Sequence, residues 1–424
     1  MTHNKNVSFY GLGIAPRILD ILDRIKFTVP TPIQHKAVPV AIEEKDIIGI
    51  AQTGTGKTLA FAVPIIQRLS QGRGRALVLV PTRELAIQVN GEFQKIAPAF
   101  GIKTAVIIGG ASMHLQLKAL RRNPRIIVAT PGRLVDHIER RTVLLADVNV
   151  LVLDESDRML DMGFMPQIER ILKFIPRNRQ TMLFSATIPP EIMKMAGAHM
   201  KLPVHVEVAP SGTTAERVTQ EVFIVQESSK RRLLVKLLER YHGPVLVFSR
   251  TKMGAKKIAR GLQRMNLRAA EIHSNRTLAQ RKEALDGFKT GKYKILVATD
   301  IAARGIDVTG IELVINYDLP DDTENYVHRI GRTGRAGHEG HAVSFATPEQ
   351  GRDIKNIERL IKTALLIVEH PEFPKEKFIE RPRYHHGPRP RHQRRRGSNR
   401  FYGHGRRRHH HRSYRKHQDK KGPA

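Results

Sequence analysis

The chain has 424 residues and is 40% hydrophobic, more than one hydrophobic core usually serves, so two domains plus an extension are expected. Lys and Arg total 72 against 40 Asp and Glu, and the formal charge of +32 attracts polyanions, nucleic acid first among them. With no Cys there is no disulfide framework or thiolate metal site. No apolar run reaches about 18 residues and Met1 to Tyr10 lack a signal-peptide core, so a cytoplasmic protein with no membrane partner is expected.

In chain order, short β-branched apolar runs alternate with helical stretches at Asp46 to Ala51, Ala76 to Val80, Arg125 to Thr130, Val148 to Asp154 and Thr181 to Ser185. That alternation predicts an α/β fold with a parallel sheet covered on both faces. Between Pro203 and Gln220, turn formers such as Ala-Pro-Ser-Gly-Thr-Thr replace the periodic apolar residues, and a linker is expected over 208–216. The pattern restarts at Val245 to Ser249, Ile295 to Thr299, Leu313 to Tyr317 and Ala342 to Ala346. The expected division is a first domain over 1–207, a second over 217–370 and a tail over 371–424. From Arg381 to Ala424 there are 13 Arg, 3 Lys, 8 His and one acid, so this stretch carries +15 of the charge and cannot form a core. It is expected to be disordered. Its His residues lack helical spacing and are mixed with Arg, which repels cations, so no metal site is expected there.

Ligands of doubly wound sheets sit beyond the carboxyl ends of the strands. Residues 51–58 read Ala-Gln-Thr-Gly-Thr-Gly-Lys-Thr, after one apolar run and before the helical pattern Leu59 to Leu69. In such a P-loop the backbone from Thr53 to Gly56, freed by Gly54 and Gly56 and including Thr55, wraps phosphate oxygens. Lys57 reaches the β and γ phosphates, and the Thr58 hydroxyl ligates Mg²⁺. Val150 to Leu153 then delivers Asp154 and Glu155, the first to hold the hydration shell of the ion and the second to position or deprotonate water. Acidic pairs alone are mostly solvated surface; a buried strand ending in one, in a chain with a P-loop, reverses that reading.

These motifs are joined, in order, by Phe27 and Pro30-Thr-Pro-Ile-Gln34 with Phe9 upstream, Pro81-Thr-Arg-Glu-Leu85, Gly109-Gly110, Thr130-Pro-Gly-Arg133, Asp154-Glu-Ser-Asp157 and Ser185-Ala-Thr187. Then follow Phe248 to Thr251, Gln280-Arg281, Ala298 to Asp307 and His328-Arg-Ile-Gly-Arg-Thr-Gly-Arg335. From about Phe9 to Phe345 the chain resembles the DEAD-box branch of superfamily 2 helicases. The short start and immediate basic tail look like the bacterial RhlE-like subgroup.

The resemblance implies two tandem RecA-like P-loop domains, with ATP and Mg²⁺ between them and RNA across both. Gln34 would read the adenine edge, since an amide donates and accepts at once, with Phe9 and Phe27 beside the base and Asp307 on the ribose. Arg332 and Arg335 would meet γ-phosphate charge only when the domains close. Asp157, Ser185, Thr187 and His328 would couple the two ligands. RNA contacts map to Pro81, Thr82, Arg83, Gly110, Thr130 and Arg133 in the first domain and to Thr251 and Thr299 in the second, gripping the backbone without reading bases.

The sequence departs from the family at Ser156, where Ala is usual, at Lys26, where Gly is usual, and at His273-Ser274-Asn275, where His-Gly-Asp is common. The expected activity is RNA-stimulated ATP hydrolysis that locally opens short duplexes or remodels RNA–protein complexes, on structured or duplex RNA of ribosomal or messenger origin. Protein partners in ribosome assembly or RNA decay are unnamed by the sequence. Two rivals stand beside it: an annealing protein that acts through its tail, and a DNA helicase.

Overall fold

In the run Arg75–Leu79, Ala76 and Val78 turn to one face of a strand and Leu77 and Leu79 to the other, and all four are buried in separate apolar clusters. A strand covered on both faces reads as a continuous apolar run, and that places it inside a parallel sheet. The computed structural model describes residues 8–52, 54–208, 218–303, 308, 310–334 and 339–379.

The first lobe holds β1 (Ile47–Ile50), β2 (Arg75–Leu79), β3 (Thr104–Ile107), β4 (Ile126–Ala129), β5 (Val148–Asp154), β6 (Gln180–Ser185) and β7 (Val204–Glu207), in the order β3-β4-β2-β5-β6-β1-β7. The second holds β8 (Val218–Ile224), β9 (Val245–Phe248), β10 (Ala269–Ile272), β11 (Ile295–Ala298), β12 (Leu313–Asn316), β13 (Gly340–Ala346) and β14 (Leu366–Ile367), in the order β10-β11-β9-β12-β13-β8-β14. Every described pairing is parallel, for example Ile47 with Met182 through Ile50 with Ser185, and Gly340 with Val218 through Ala346 with Ile224. Helices cover both faces, as the alternation predicts.

Of the two expected boundaries, the second differs. The stretch from Pro203 to Gln220 contains β7 and the start of β8, and residues 209–217, most of the expected linker, lie outside the described residues. At the other end the ordered chain runs past 370. Phe373 and Phe378 pack on the two apolar clusters of the second sheet, the Arg232 guanidinium lies 4.9 Å over the Phe373 ring, and the Ile379 N–H donates to the Pro348 carbonyl at 2.8 Å. These two aromatics, set among prolines, lysines and glutamates, supply apolar area that the polar composition around them hides. The Arg- and His-rich stretch 380–424 lies outside the described residues.

Candidate nucleotide and RNA sites

The loop between β1 and the helix Lys57–Gln71 turns through Gly54 and Gly56, at φ 89° and 87°, which only glycine adopts without strain. A Cβ on Gly56 would lie 2.4 Å from Gln34 Nε2, so the loop and the segment that carries Gln34 are packed against each other. Gln34 Nε2 donates to the Gly56 carbonyl at 3.0 Å and its Oε1 accepts from the Thr31 N–H at 2.9 Å. An amide has two donors and two acceptor positions, so each end keeps one for a base. The side chain is thus a brace for the loop that still has a donor and an acceptor to offer.

Gln34, Phe27, Gly54, Gly56, Lys57, Thr58, Asp154 and Glu155 line one cleft of about 390 Å³. Phe9 does not line it: at 2% exposure it belongs to the apolar core of the first lobe, against expectation. Its neighbours in sequence are Leu12, Ile14 and Ile18, all buried, and an aromatic among them gains most by joining the core. Thr55 Oγ1 donates to the Gln52 carbonyl at 2.7 Å, which tightens the loop. Thr53, Asp307 and Arg335 lie outside the described residues.

Lys57 is buried, and its ammonium donates to the Ala51 carbonyl at 2.8 Å. Asp154 ends β5, and burial pushes its carboxyl up to about 7 against the pull of Lys57. Glu155 follows at φ 54°, a left-handed conformation that costs a non-glycine residue about 1–2 kcal/mol and turns the chain sharply into the helix Ser156–Asp161. Burial alone would raise Glu155; Arg158, Lys57 and Arg332 outweigh it and hold the carboxylate ionised. Arg158, buried and 2.8 Å from Glu155 Oε2, was not singled out from the sequence, although its i,i+3 spacing from Glu155 on a helix is the legible signal.

Asp157 connects this cleft to the end of β6. Its Oδ2 accepts from the Ala186 N–H at 3.1 Å, the Thr187 N–H at 3.0 Å and Thr187 Oγ1 at 3.2 Å, while its own N–H donates to Ser185 Oγ at 3.1 Å. Burial opposes ionisation of Asp157, but Arg158, Lys57 and His328 of the second lobe keep its pKa below the usual carboxylate range. Ser156, where Ala is usual, is buried, and its hydroxyl donates to the Phe184 carbonyl at 3.5 Å. Arg332 and His328 come from the helix Thr323–Ile330 and the turn after it, and Arg332 Nε donates to the His328 carbonyl at 3.3 Å. That helix is anchored by Arg329, which the sequence shows within the motif but without a role, and whose guanidinium grips both carboxylate oxygens of Asp300 at 2.6 and 2.7 Å.

The expected RNA contacts lie after the carboxyl ends of β2, β3, β4, β9 and β11. Thr82 caps the helix Arg83–Ile96 by accepting from the Leu85 N–H at 3.2 Å, and Thr251 caps the helix Lys252–Gln263 by accepting from the Gly254 N–H at 2.9 Å. Pro81 is buried before the first cap, and Thr130 precedes the helix Pro131–Glu139. Gly110, at φ 74°, lets the Arg83 guanidinium lie on the backbone: a Cβ there would meet Arg83 Nη1 at 2.2 Å. Arg133 Nη1 donates to the Ala111 carbonyl at 3.3 Å beside that pair, and the Thr299 N–H donates to the Ile272 carbonyl at 3.4 Å. His273, in the triplet that departs from the family, is buried 3.5 Å from Glu271. Helix N-termini with exposed N–H groups suit phosphates. Between the lobes, Arg281 of the helix Leu278–Lys289 forms a buried ion pair with Glu84 at 2.7 Å.

Among the described residues no helix is long and apolar enough to cross a membrane. The DEAD/DEAH box helicase family model matches residues 31–195, and the helicase conserved C-terminal domain matches residues 229–337. An ATP-dependent rRNA helicase RRP3 of Debaryomyces hansenii is 44% identical over 347 residues, 81% of this chain and 73% of its own. The DEAD-box ATP-dependent RNA helicase CshA of Bacillus subtilis is 43% identical over 369 residues, 86% and 74% of the two chains. Dbp5 of S. cerevisiae, in a structure bound to RNA and ADP BeF3, superposes with a TM-score of 0.78 at 30% identity, over 86% of this chain and 96% of that one. With the P-loop, the acidic tetrad and the second-lobe arginine in one arrangement, this likeness over both lobes means that the chain belongs to the DEAD-box family of ATP-dependent RNA helicases.

Proposed function

We propose that the protein hydrolyses ATP in the first-lobe cleft, completed by the second lobe, and uses closure of the lobes on RNA to pull a short duplex apart or strip bound protein. The observation that carries this reading is the chain of contacts through Asp157. It sits two residues from Glu155, grips Ala186 and Thr187, and feels His328 from the other lobe. These contacts support a coupling of the nucleotide cleft, the end of β6 and the second lobe through Asp157.

Gly54, Thr55, Gly56 and Lys57 hold the phosphates, while Glu155, kept ionised by Arg158, orients water. Asp154 and Thr58 fit a Mg²⁺ ion. A buried carboxylate pushed up to about 7 is one that a divalent cation would hold ionised, and that charge would offset the phosphate oxygens. By motif order, Thr53 joins the phosphate loop, Asp307 holds the ribose, and Arg335 acts with Arg332. The Thr82, Thr130, Thr251 and Thr299 ends hold RNA phosphates without sequence preference, so ribosomal and messenger RNA are both open to it. The basic stretch 380–424 adds counterion release to that grip. A cytoplasmic setting and the RhlE-like subgroup complete the reading; the basic composition that follows the last motif supports them.

The deciding experiment is Glu155→Gln, with steady-state turnover and RNA retention measured in parallel. The expected outcome is ATP binding and RNA trapped on the protein, with turnover lower by about 10²–10⁴-fold. RNA, not DNA, should stimulate the wild-type enzyme. Turnover of Glu155→Gln near the wild-type rate overturns the assignment.

A further inference from the structure

Between Glu239 and Glu271 the sequence has no acidic residue, and 251–268 alone carry Lys252, Lys256, Lys257, Arg260, Arg264 and Arg268. Most of these fall on the helix Lys252–Gln263, whose buried positions Ala255, Ile258, Ala259 and Leu262 define its inner face. Lys257, Arg260 and Arg264 recur at i, i+3 and i+7, opposite that face, and all three are exposed. Arg231, from the helix Lys230–Arg240, adds a further cation: its guanidinium lies over Gly261, so close that a Cβ there would meet it at 3.1 Å. None of Lys252, Lys256, Lys257, Arg260, Arg264 or Arg231 forms an ion pair among the described residues.

A solvated helix face normally mixes charges, because i,i+4 pairs of opposite sign stabilise it and like charges repel. This face keeps the repulsion. It also starts at a defined place: Thr251, its cap, is one of the strand-end residues on the RNA side, and the helix runs from there back along the sheet for about 18 Å. We infer that the outer face of the helix Lys252–Gln263 is a second RNA track, holding the backbone phosphates of the strand that leaves the clamp at Thr251.

The inference rests on the RNA-clamping reading and extends it: the clamp is the strand-end face of both lobes, and the track belongs to the second lobe alone. Its ligand is the phosphodiester backbone of RNA, read without bases, since lysines and arginines on a convex helix offer charge and no pocket. An acidic protein segment is the alternative occupant.

The test compares the full-length wild type with the triple variant K257Q/R260Q/R264Q, using labelled oligouridines of about 8 and about 25 nucleotides with a non-hydrolysable ATP analogue. All three side chains are exposed, so the fold should survive, and K257R/R260K/R264K controls for charge. The expected result is a Kd for the long strand raised roughly tenfold or more in the neutralised variant, and a slope of log affinity against log salt smaller by about 2, from three phosphates at about 0.7 each. The short strand should bind as before, and the charge-conserving variant should match the wild type on both. Equal weakening on both strands, or none on either, overturns the track. So does loss of an acidic protein from the neutralised variant with long-strand affinity intact. If the wild type itself binds neither strand in the presence of the analogue, the clamping reading fails first.

Discussion

The two lobes repeat one strand order, and their corresponding positions can be compared one by one. In the first lobe Lys57 opens the helix after β1, and β5 ends at Asp154, beside Glu155. In the second, Lys230 opens the helix after β8, and β12 ends at Asn316, followed by Tyr317 and Asp318. The lysine is kept, but the glycine loop before it is replaced by Glu227, Ser228 and Ser229. Lys230 is consumed internally, 2.7 Å from Glu227, 3.3 Å from Asp318 and 5.6 Å over the Tyr317 ring. The ends proposed to hold RNA, by contrast, are alike, with Thr82 and Thr251 capping equivalent helices after β2 and β9. On the proposed reading, the repeated scaffold would keep the strand-binding end in both copies and the phosphate-transfer end in one, and the second copy would contribute a cation, Arg332, from outside.

That division predicts where the largest loss falls. Arg332 belongs to the lobe without a P-loop, yet Glu155 of the other lobe feels its charge. Arg332→Ala is expected to lower turnover at saturating ATP and RNA by about 10³–10⁵-fold, the range of transferred arginines, with ATP affinity little changed. A fall below tenfold would mean that the first lobe is catalytically self-sufficient and the comparison wrong.

The lysine pair sharpens the same point at smaller scale. If Lys230 is a structural remnant, Lys230→Met leaves Asp318 without its ion partner and lowers stability by about 1–3 kcal/mol, seen as a lower urea midpoint. Turnover per folded molecule at a temperature well below unfolding should stay near wild type. A specific loss of hydrolysis without loss of stability would instead place Lys230 in the catalytic machinery.

The legible parts of the fold are those buried on both sides. β1, β2, β4, β5 and β6, and β9, β11, β12 and β13, stand out as apolar runs. The strands that escaped, β3 and β10 at one edge of each sheet and β7 and β14 at the other, carry Thr104, Glu271, His205 and Glu207, or consist of two exposed residues. β8 lies beside one such edge, and its Thr219, Gln220 and Glu221 break the run. In β3, β7 and β14 the edge keeps a wet face, so the pattern is not apolar; β10 is buried throughout and escapes because two alanines and Glu271 are weak strand formers. In the site, residue identity was legible and partnership was not. Gln34 read as a base contact, but its bond to the Gly56 carbonyl depends on a fold between two segments over twenty residues apart. Arg281 and Glu84 sit in motifs noticed for other reasons, and only the packing of two lobes makes them a pair.

Among the described residues the first lobe also has a segment with no counterpart in the second, the approach to the cleft through Phe27. The helix Pro16–Arg24 ends with the Phe27 N–H donating to the Leu22 carbonyl at 2.9 Å and the Lys26 N–H donating to the Asp23 carbonyl at 3.0 Å. This is the paired closure in which the residue after the cap turns left-handed, and glycine usually fills that place. Here Lys26 does, at φ 62°, so the turn forms with the unusual residue and delivers Phe27 to the rim of the cleft. The left-handed conformation costs a side-chain-bearing residue about 1–2 kcal/mol, and glycine returns part of that by its greater freedom in the unfolded chain. Lys26→Gly is therefore expected to stabilise the first lobe by about 0.5–1 kcal/mol, while Lys26→Val, with a branched Cβ in the same place, destabilises it. Because both carbonyl bonds are made by the backbone, ATP affinity should be unchanged in the glycine variant. A fall in ATP affinity with Lys26→Gly would show instead that the ammonium, and not the turn, is what this position supplies to the nucleotide.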